Sequence, residues 1–260
     1  MPSLDLFSLN GRNVLITGAG GAIGSILARA MSEAGATVGL QDLDSEMIRE
    51  SKRAIEASGG KAFIFAADLT DVNLCSELVS NVVSMMGSID ILVNCAGINR
   101  RKPISDVTVE DFNSIVAVNM RAIYFLSQAA YPFMKAQAYG TIVNVGSLTA
   151  RYSFMSGSVY AATKAATSSI TRSCALEWAK DGIRVNCIEP GYVKTNFTRP
   201  VWDNPKRNEW FNNLIPMGRL ALPEELIGPV IFLASEASSY MTGQSILIDG
   251  GLLSGADPNH

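Results

Sequence analysis

Short apolar runs alternate with amphipathic helical patterns along almost the whole chain, and that alternation restricts the fold more than any other feature. Asn13-Val14-Leu15-Ile16-Thr17 is the first run; Ile23, Ile26, Leu27, Ala30 and Met31 then recur at helical spacing until Gly35 stops the helix. Further strands are expected at 37–42, 61–66, 89–94, 141–145, 184–188 and 245–248. Helices are expected at 45–57, 72–86, 109–135 (bent at Pro132), 158–180 and 224–234. Strands alternating with helices imply an α/β fold, a Rossmann-type doubly wound parallel sheet with helices on both faces. No linker, charge block or repeat divides residues 1–260, so a single domain is expected, with a variable, irregular segment at about 191–222.

Composition excludes several chemistries. The single histidine, His260, ends a polar Asp257-Pro258-Asn259 tail expected to be mobile. Histidine-dependent nucleophilic sites, His-rich zinc sites and histidine acid–base catalysis are therefore not expected. Cys75, Cys95, Cys174 and Cys187 form no C-x-x-C, which argues against a metal knuckle or a dithiol redox motif and suits a reducing cytoplasm. A formal charge of −3 argues against nucleic acid or an acidic membrane as partner. No apolar run approaches the ~20 residues of a membrane span, and Met1-Pro2-Ser3-Leu4-Asp5-Leu6 lacks a signal-peptide pattern.

In a doubly wound fold, ligands bind beyond the carboxyl ends of the strands. After the first strand, Thr17-Gly18-Ala19-Gly20-Gly21-Ala22-Ile23-Gly24 either makes a plain strand-to-helix turn or brings backbone against a pyrophosphate at a helix N-terminus. Its place in the first βα unit favours the nucleotide. Asp42, ending the second strand, can accept both ribose hydroxyls and would repel a 2′-phosphate, so NAD is expected over NADP. Asp44 competes for that role or caps the next helix. Asp68, with Leu69 beside it, either meets the adenine or caps the helix after the third strand. Asn94, Ala96 and Gly97 follow the fourth strand, where small residues let a cofactor lie against backbone. Asn119 has apolar helical neighbours and faces inward, bonding a nearby backbone or holding a water.

The candidate acid–base pair is Tyr160 and Lys164, one helical turn apart, so that an ammonium sits beside a phenol. Phenols ionise near pH 10, so proton exchange at neutral pH calls for roughly 3–4 kcal/mol of phenolate stabilisation from neighbouring cations. Tyr131-Pro132-Phe133-Met134-Lys135 repeats the spacing, but it precedes a strand and so belongs at the opposite edge of the sheet. Ser147 ends the 141–145 strand and can polarise a carbonyl beside Tyr160.

Together these motifs resemble the short-chain dehydrogenase/reductase family from about Gly11 to Leu252. The resemblance implies a catalytic set of Asn119, Ser147, Tyr160 and Lys164, and a coenzyme site comprising Gly18, Gly20, Gly21, Ile23, Asp42, Asp68, Leu69, Asn94, Ala96, Gly97, Tyr160, Lys164, Pro190, Gly191, Val193 and Thr195. Val193 would hold the carboxamide and Thr195 a phosphate. Ala22 and Cys95 depart from the family pattern, where glycine and asparagine are usual. The stretches 96–103, 190–195 and 223–228 are similar to sugar-acid dehydrogenases of the gluconate 5-dehydrogenase type. Arg101 would then pair with a substrate carboxylate, with Arg100 toward solvent, unless both form a solvated basic turn. Tyr192, Asn196 and Trp202, with Trp210, would wall the substrate site.

The implied reaction is NAD(H)-dependent interconversion of a secondary alcohol and a ketone on a small-molecule sugar acid. The alternatives are a 3-oxoacyl-thioester reductase, a neutral sugar or polyol dehydrogenase, or a non-catalytic nucleotide-binding protein. The resemblance also implies a homotetramer packed through the helices of Asn119 and Tyr160, the latter offering Ala161, Ala165, Ser168 and Ser169 as small exposed residues.

Overall fold

The computed structural model describes residues 3–43 and 45–255. Asp44, the Met1-Pro2 start and the tail with His260 lie outside the described residues. Among the described residues, seven strands form one parallel sheet: β1 (Asn13–Thr17), β2 (Thr37–Asp42), β3 (Lys61–Ala66), β4 (Ile91–Asn94), β5 (Gly140–Val145), β6 (Ile183–Pro190) and β7 (Ser245–Ile248). Their order is β3-β2-β1-β4-β5-β6-β7. The chain winds outward from β1, returns past it, and winds the other way from β4. The carboxyl ends of β1 and β4 therefore mark the switch point at which a crevice opens.

Helices α1 (Ala22–Glu33), α2 (Ser45–Ala57), α3 (Val72–Met86), α4 (Val109–Val116), α5 (Ala122–Ala136), α6 (Ser158–Trp178) and α9 (Ile227–Ala234) cover the faces, while α7 (Arg199–Trp202) and α8 (Pro205–Leu214) lie in the connection from β6 to α9. Because successive side chains of a strand point to opposite faces, the apolar runs feed two cores. Val14, Ile16, Ile91, Val93 and Val143 join one with Leu27 and Met31 of α1 and Val230 of α9. Leu15, Leu92 and Ile142 join the other with Val79 of α3 and Leu126 of α5. None of these helices is long and apolar enough to cross a membrane.

Three expectations need correction. The 109–135 helix is interrupted not at Pro132, which lies inside α5, but by a π-helical turn at Ala117–Arg121. The wide turn carries Asn119, fully enclosed, toward the backbone at Ile98. The 191–222 segment is not irregular throughout. Asn204 caps α8 by accepting the Arg207 N–H at 3.1 Å, and Pro205 occupies the first turn, a start signal present in the sequence. Phe211, with Val201 and Ile215, roofs a third apolar cluster over Leu148 and Leu252. Ser168 is not on the exposed face of α6. It is buried and donates to Glu189 Oε1 at 2.7 Å, whereas Ala165 and Ser169 are exposed.

Candidate active site

The strand-end residues converge on a cavity of about 680 Å³, lined from Gly18 and Gly21 at one end to Ser147, Tyr160 and Thr198 at the other. Gly18 has φ +66°, and a Cβ there would lie 2.8 Å from Ala96 Cα, so only glycine lets β1 turn this close to the β4 loop. Thr17 Oγ1 clamps the same junction, accepting the N–H of Cys95 at 3.1 Å and of Ala96 at 3.2 Å.

Asp42 lines the cavity with its carboxylate held by backbone: Oδ2 accepts the Gly20 N–H at 3.0 Å and Oδ1 the Leu43 N–H at 2.8 Å. Gly20 itself does not line the cavity; it orients Asp42. Asp68 and Leu69 line the same end. Asp68 is not the helix cap, since its Oδ1 accepts the Thr70 N–H at 2.9 Å while Asp71 caps α3. Among the described residues, no lysine or arginine lines this wall with Gln41, Asp42, Leu43, Met47, Asp68, Leu69 and Thr70, although the exposed Arg121 donates to the Thr70 carbonyl at 2.6 Å. No sequence pattern marks Gln41. Its amide bridges the Gly18 N–H, at 3.4 Å, and the Ala67 carbonyl, at 2.8 Å.

At the other end, Lys164 is buried and its Nζ donates to the Val145 carbonyl at 2.7 Å, lying 5.6 Å from the centre of the Tyr160 ring. Ser147 Oγ accepts from the Thr149 N–H at 3.1 Å and from the Thr149 hydroxyl at 3.0 Å. With its acceptor positions taken, its own proton is free to donate into the cavity. Asn119 lies one layer behind. Its Oδ1 accepts the Ile98 N–H at 2.8 Å, and its Nδ2 donates to the Ile98 carbonyl at 2.8 Å and to Thr163 Oγ1 at 3.3 Å. The anticipated bond to a nearby backbone is present, and Gly97 next to it passes close to Asn119 and Lys164, where a Cβ would lie 3.5 Å from Asn119 Oδ1 and 3.6 Å from Lys164 Nζ.

Ile23, Ala96, Gly97, Pro190, Gly191, Val193 and Thr195 line the large cavity, as do Asn196 and Arg100. Arg100, although exposed, is paired at 3.6 Å with Asp111. Cys95 lines it too, its thiol pushed up to about 12 by burial against the opposing charge of Lys164, which keeps it protonated. Asn94 does not line the cavity. It is buried, donating to Asn144 Oδ1 at 2.8 Å and Ser127 Oγ at 3.3 Å, so it braces β4 against β5.

A smaller chamber of about 90 Å³ opens from the same point, sharing Ser147, Tyr160, Gly191, Phe197 and Thr198 with the large cavity. Arg101 and Tyr192 line it, with Asn99, Thr149, Phe154 and Met155. Burial pushes the Tyr192 phenol up, partly offset by the Arg101 charge, so Tyr192 stays a neutral donor. Trp202 lines neither space, because its indole N–H is committed to the Thr195 carbonyl at 3.0 Å; Trp210 is exposed. Phe197, Phe154 and Met155 carry no periodic signal, and the one clue to Phe154 and Met155 is their place between Ser147 and Tyr160 in sequence. The second Tyr-Lys pair sits elsewhere, where Tyr131 donates to Asp181 at 2.8 Å and Lys135 to Tyr131 at 3.1 Å.

A glycine turn at the switch point, with a lysine, a tyrosine and a serine facing one cleft, defines a nucleotide-linked oxidoreductase site. The family model described as enoyl-(acyl carrier protein) reductase matches residues 18–253, and the chain belongs to the short-chain dehydrogenase/reductase family. It is 35% identical over 248 residues to gluconate 5-dehydrogenase of Gluconobacter oxydans, covering 95% of this chain and 97% of the relative. It is 37% identical over 245 residues to a 3-oxoacyl-[acyl-carrier-protein] reductase of Thermotoga maritima, covering 94% and 99%. A gluconate 5-dehydrogenase from Burkholderia cenocepacia, crystallised with NADP and tartrate, superposes with a TM-score of 0.94 at 35% identity, over 97% of this chain and 99% of that one.

The role of Asn94 as a brace is testable. Asn94→Ala should lower stability to urea by about 1–3 kcal/mol, because Asn144 Oδ1 loses its buried donor. NADH affinity by fluorescence should change by less than about twofold. A much larger loss of binding without destabilisation would return Asn94 to the coenzyme site.

Proposed function

We propose that this chain is a dehydrogenase interconverting a secondary alcohol and a ketone on a sugar acid such as gluconate, with NAD(H) as its coenzyme. The observation that carries the sugar-acid reading is Arg101. It lines the chamber beside Ser147 and Tyr160, and none of the described carboxylates is within ion-pair distance of it, whereas its neighbour Arg100 is matched to Asp111. A cation with no carboxylate partner among the described residues, placed beside a proton-exchanging pair, suits a substrate carboxylate. Similarity to a gluconate 5-dehydrogenase supports the same reading.

The residues lining the crevice suit the coenzyme: Gly18, Gly21 and Ile23 would form its backbone cradle, Asp42 would accept the ribose hydroxyls, Leu69 would meet the adenine, and Val193 and Thr195 would hold the nicotinamide end. When bound, the nicotinamide accepts or supplies the hydride. Ser147, its acceptor sites filled by Thr149, directs its proton to the substrate oxygen. Tyr160 takes the hydroxyl proton in oxidation and returns it in reduction. Lys164, anchored on Val145, stabilises negative charge developing on the Tyr160 oxygen. Asn119 positions the backbone above Lys164.

NAD preference rests on Asp42. Its carboxylate is pinned by two backbone N–H groups, and among the described residues no lysine or arginine lines the cavity beside it to neutralise a 2′-phosphate. The bound NADP of the Burkholderia structure makes this the sharpest point to test.

Tyr160→Phe should retain NADH binding while lowering kcat for 5-keto-D-gluconate reduction by about 10²–10⁴-fold, the usual weight of a positioned acid. Near-wild-type turnover would sink the mechanism. Arg101→Ala should cost about 10–100-fold in kcat/KM on sugar acids, the worth of a charged hydrogen-bonded pair, and little on neutral polyols. An equal loss on both would remove the carboxylate assignment and favour an acyl-thioester or polyol substrate. Asp42→Ser should reduce the NAD-to-NADP ratio of kcat/KM by about tenfold or more. An unchanged ratio, or a wild type that prefers NADP, would mean that the selector lies elsewhere.

A further inference from the structure

Glu189, near the end of β6, is a buried carboxylate that neither cavity uses; it is 1% exposed. A carboxylate taken out of water must be matched by donors. Its donors come from two separate elements. Ser168 on α6 donates to Oε1 at 2.7 Å, and the Arg151 guanidinium, half exposed, grips Oε2 and reaches on to the Ser245 carbonyl of β7. Ser168 lies one helical turn beyond Lys164, whose carbonyl it also meets at 3.4 Å. Arg151 closes the short turn that begins at Ser147, its N–H bonded to the Leu148 carbonyl at 2.9 Å.

The stem of Glu189 passes directly behind the catalytic corner. A Cβ on Gly146 would lie 3.2 Å from Glu189 Cγ, and Gly146 separates Val145, which anchors Lys164, from Ser147. The segment between Arg151 and α6 includes Ser156, a non-glycine residue at φ 63°, a conformation that persists only where its surroundings hold it. Ser156, Phe154 and Met155 line the substrate chamber. A buried ion pair contributes little net stability compared with an apolar replacement, so its worth lies in the geometry that it selects.

We propose that Glu189, clasped by Arg151, is a positioning residue that ties the Ser147 turn to the helix carrying Tyr160 and Lys164. It sets the spacing of the two oxygens that meet the substrate. This rests on the roles assigned above to Ser147, Tyr160 and Lys164. Glu189 touches neither cavity and acts through those residues.

The test compares Glu189→Gln, Arg151→Met, the double variant and Arg151→Lys in the full-length protein, with Tyr160→Phe as control. Glu189→Gln and Arg151→Met should each lower kcat for 5-keto-D-gluconate by about tenfold or more, since small misplacements of reacting groups are costly. Substrate KM and NADH affinity should stay within about twofold. The double variant should be no slower than the slower single one by more than about twofold, because both changes cut one tie. Arg151→Lys, which keeps the charge, should recover most of kcat. Amide hydrogen exchange across 147–157 should quicken in both single variants and not in β1 or β4. Because Arg151 is half exposed, Arg151→Met keeps the test open should Glu189→Gln fail to fold. Wild-type kcat in Arg151→Met overturns the proposal, as does a loss of thermal stability with kcat unchanged. A parallel loss of NADH affinity also overturns it. A fully active Tyr160→Phe would instead overturn the mechanism, and hydrogen exchange would still decide whether the tie exists.

Discussion

The junction of β1 and β4 is the constraint on which the rest of the molecule depends. Thr17 Oγ1 accepts two consecutive backbone N–H groups of the β4 loop, and Gly18 passes so close to Ala96 that a side chain would collide. The two halves of the sheet wind away from this line in opposite directions, so their loops separate and leave a crevice. Asp42, Asp68, Ser147, Tyr160 and Lys164 all line that crevice because parallel strands present their carboxyl ends to one side. Asp42 arrives from one half and Ser147 from the other without any contact between them.

Packing of the second half then sets chemistry beside the crevice. Lys164 is buried on α6, with Val145 as acceptor, so its charge is fixed in position. Asn119 reaches the same corner only because the helix before α5 widens into a π-helical turn. The contrast with Tyr131 and Lys135 is instructive. Their spacing is the same, yet they sit against Asp181 and the Trp178 ring, where the phenol donates to a carboxylate and faces neither cavity. Spacing creates the pair, and the end of the sheet at which the helix begins decides what the pair meets.

The strands, their order of occurrence and the glycine turn were legible in the sequence, since apolar runs and helical periodicity are local patterns that burial on two faces enforces. Asp42, Ser147, Tyr160 and Lys164, which all line the large cavity, were readable as candidates because Asp42 ends a strand, Ser147 follows one, and Tyr160 and Lys164 lie one helical turn apart. Asn94 misled because a polar residue after a strand suggests a ligand, while here the cross-strand partner Asn144 claims it. Trp202 misled in the same way, its N–H being bonded to the Thr195 carbonyl. Ser168 looked like a small surface residue until Glu189 and Arg151 explained its burial. Phe197 and Met155 were passed over because loop aromatics and methionines carry no periodicity to mark them.

The alternation, and with it the parallel sheet, the crevice and the side on which the chemistry must lie, is written in the chain's local pattern. Local propensity and hydrophobic period act over a few residues, so they are readable without knowledge of neighbours. Long-range packing sets which polar side chains brace and which face the cavity. It separated Arg101 from Arg100, Asp68 from the helix cap at Asp71, and Tyr160 from Tyr131. Those distinctions depend on partners far apart in the chain, and a buried donor or acceptor takes its role from whichever partner packing brings within about 3 Å.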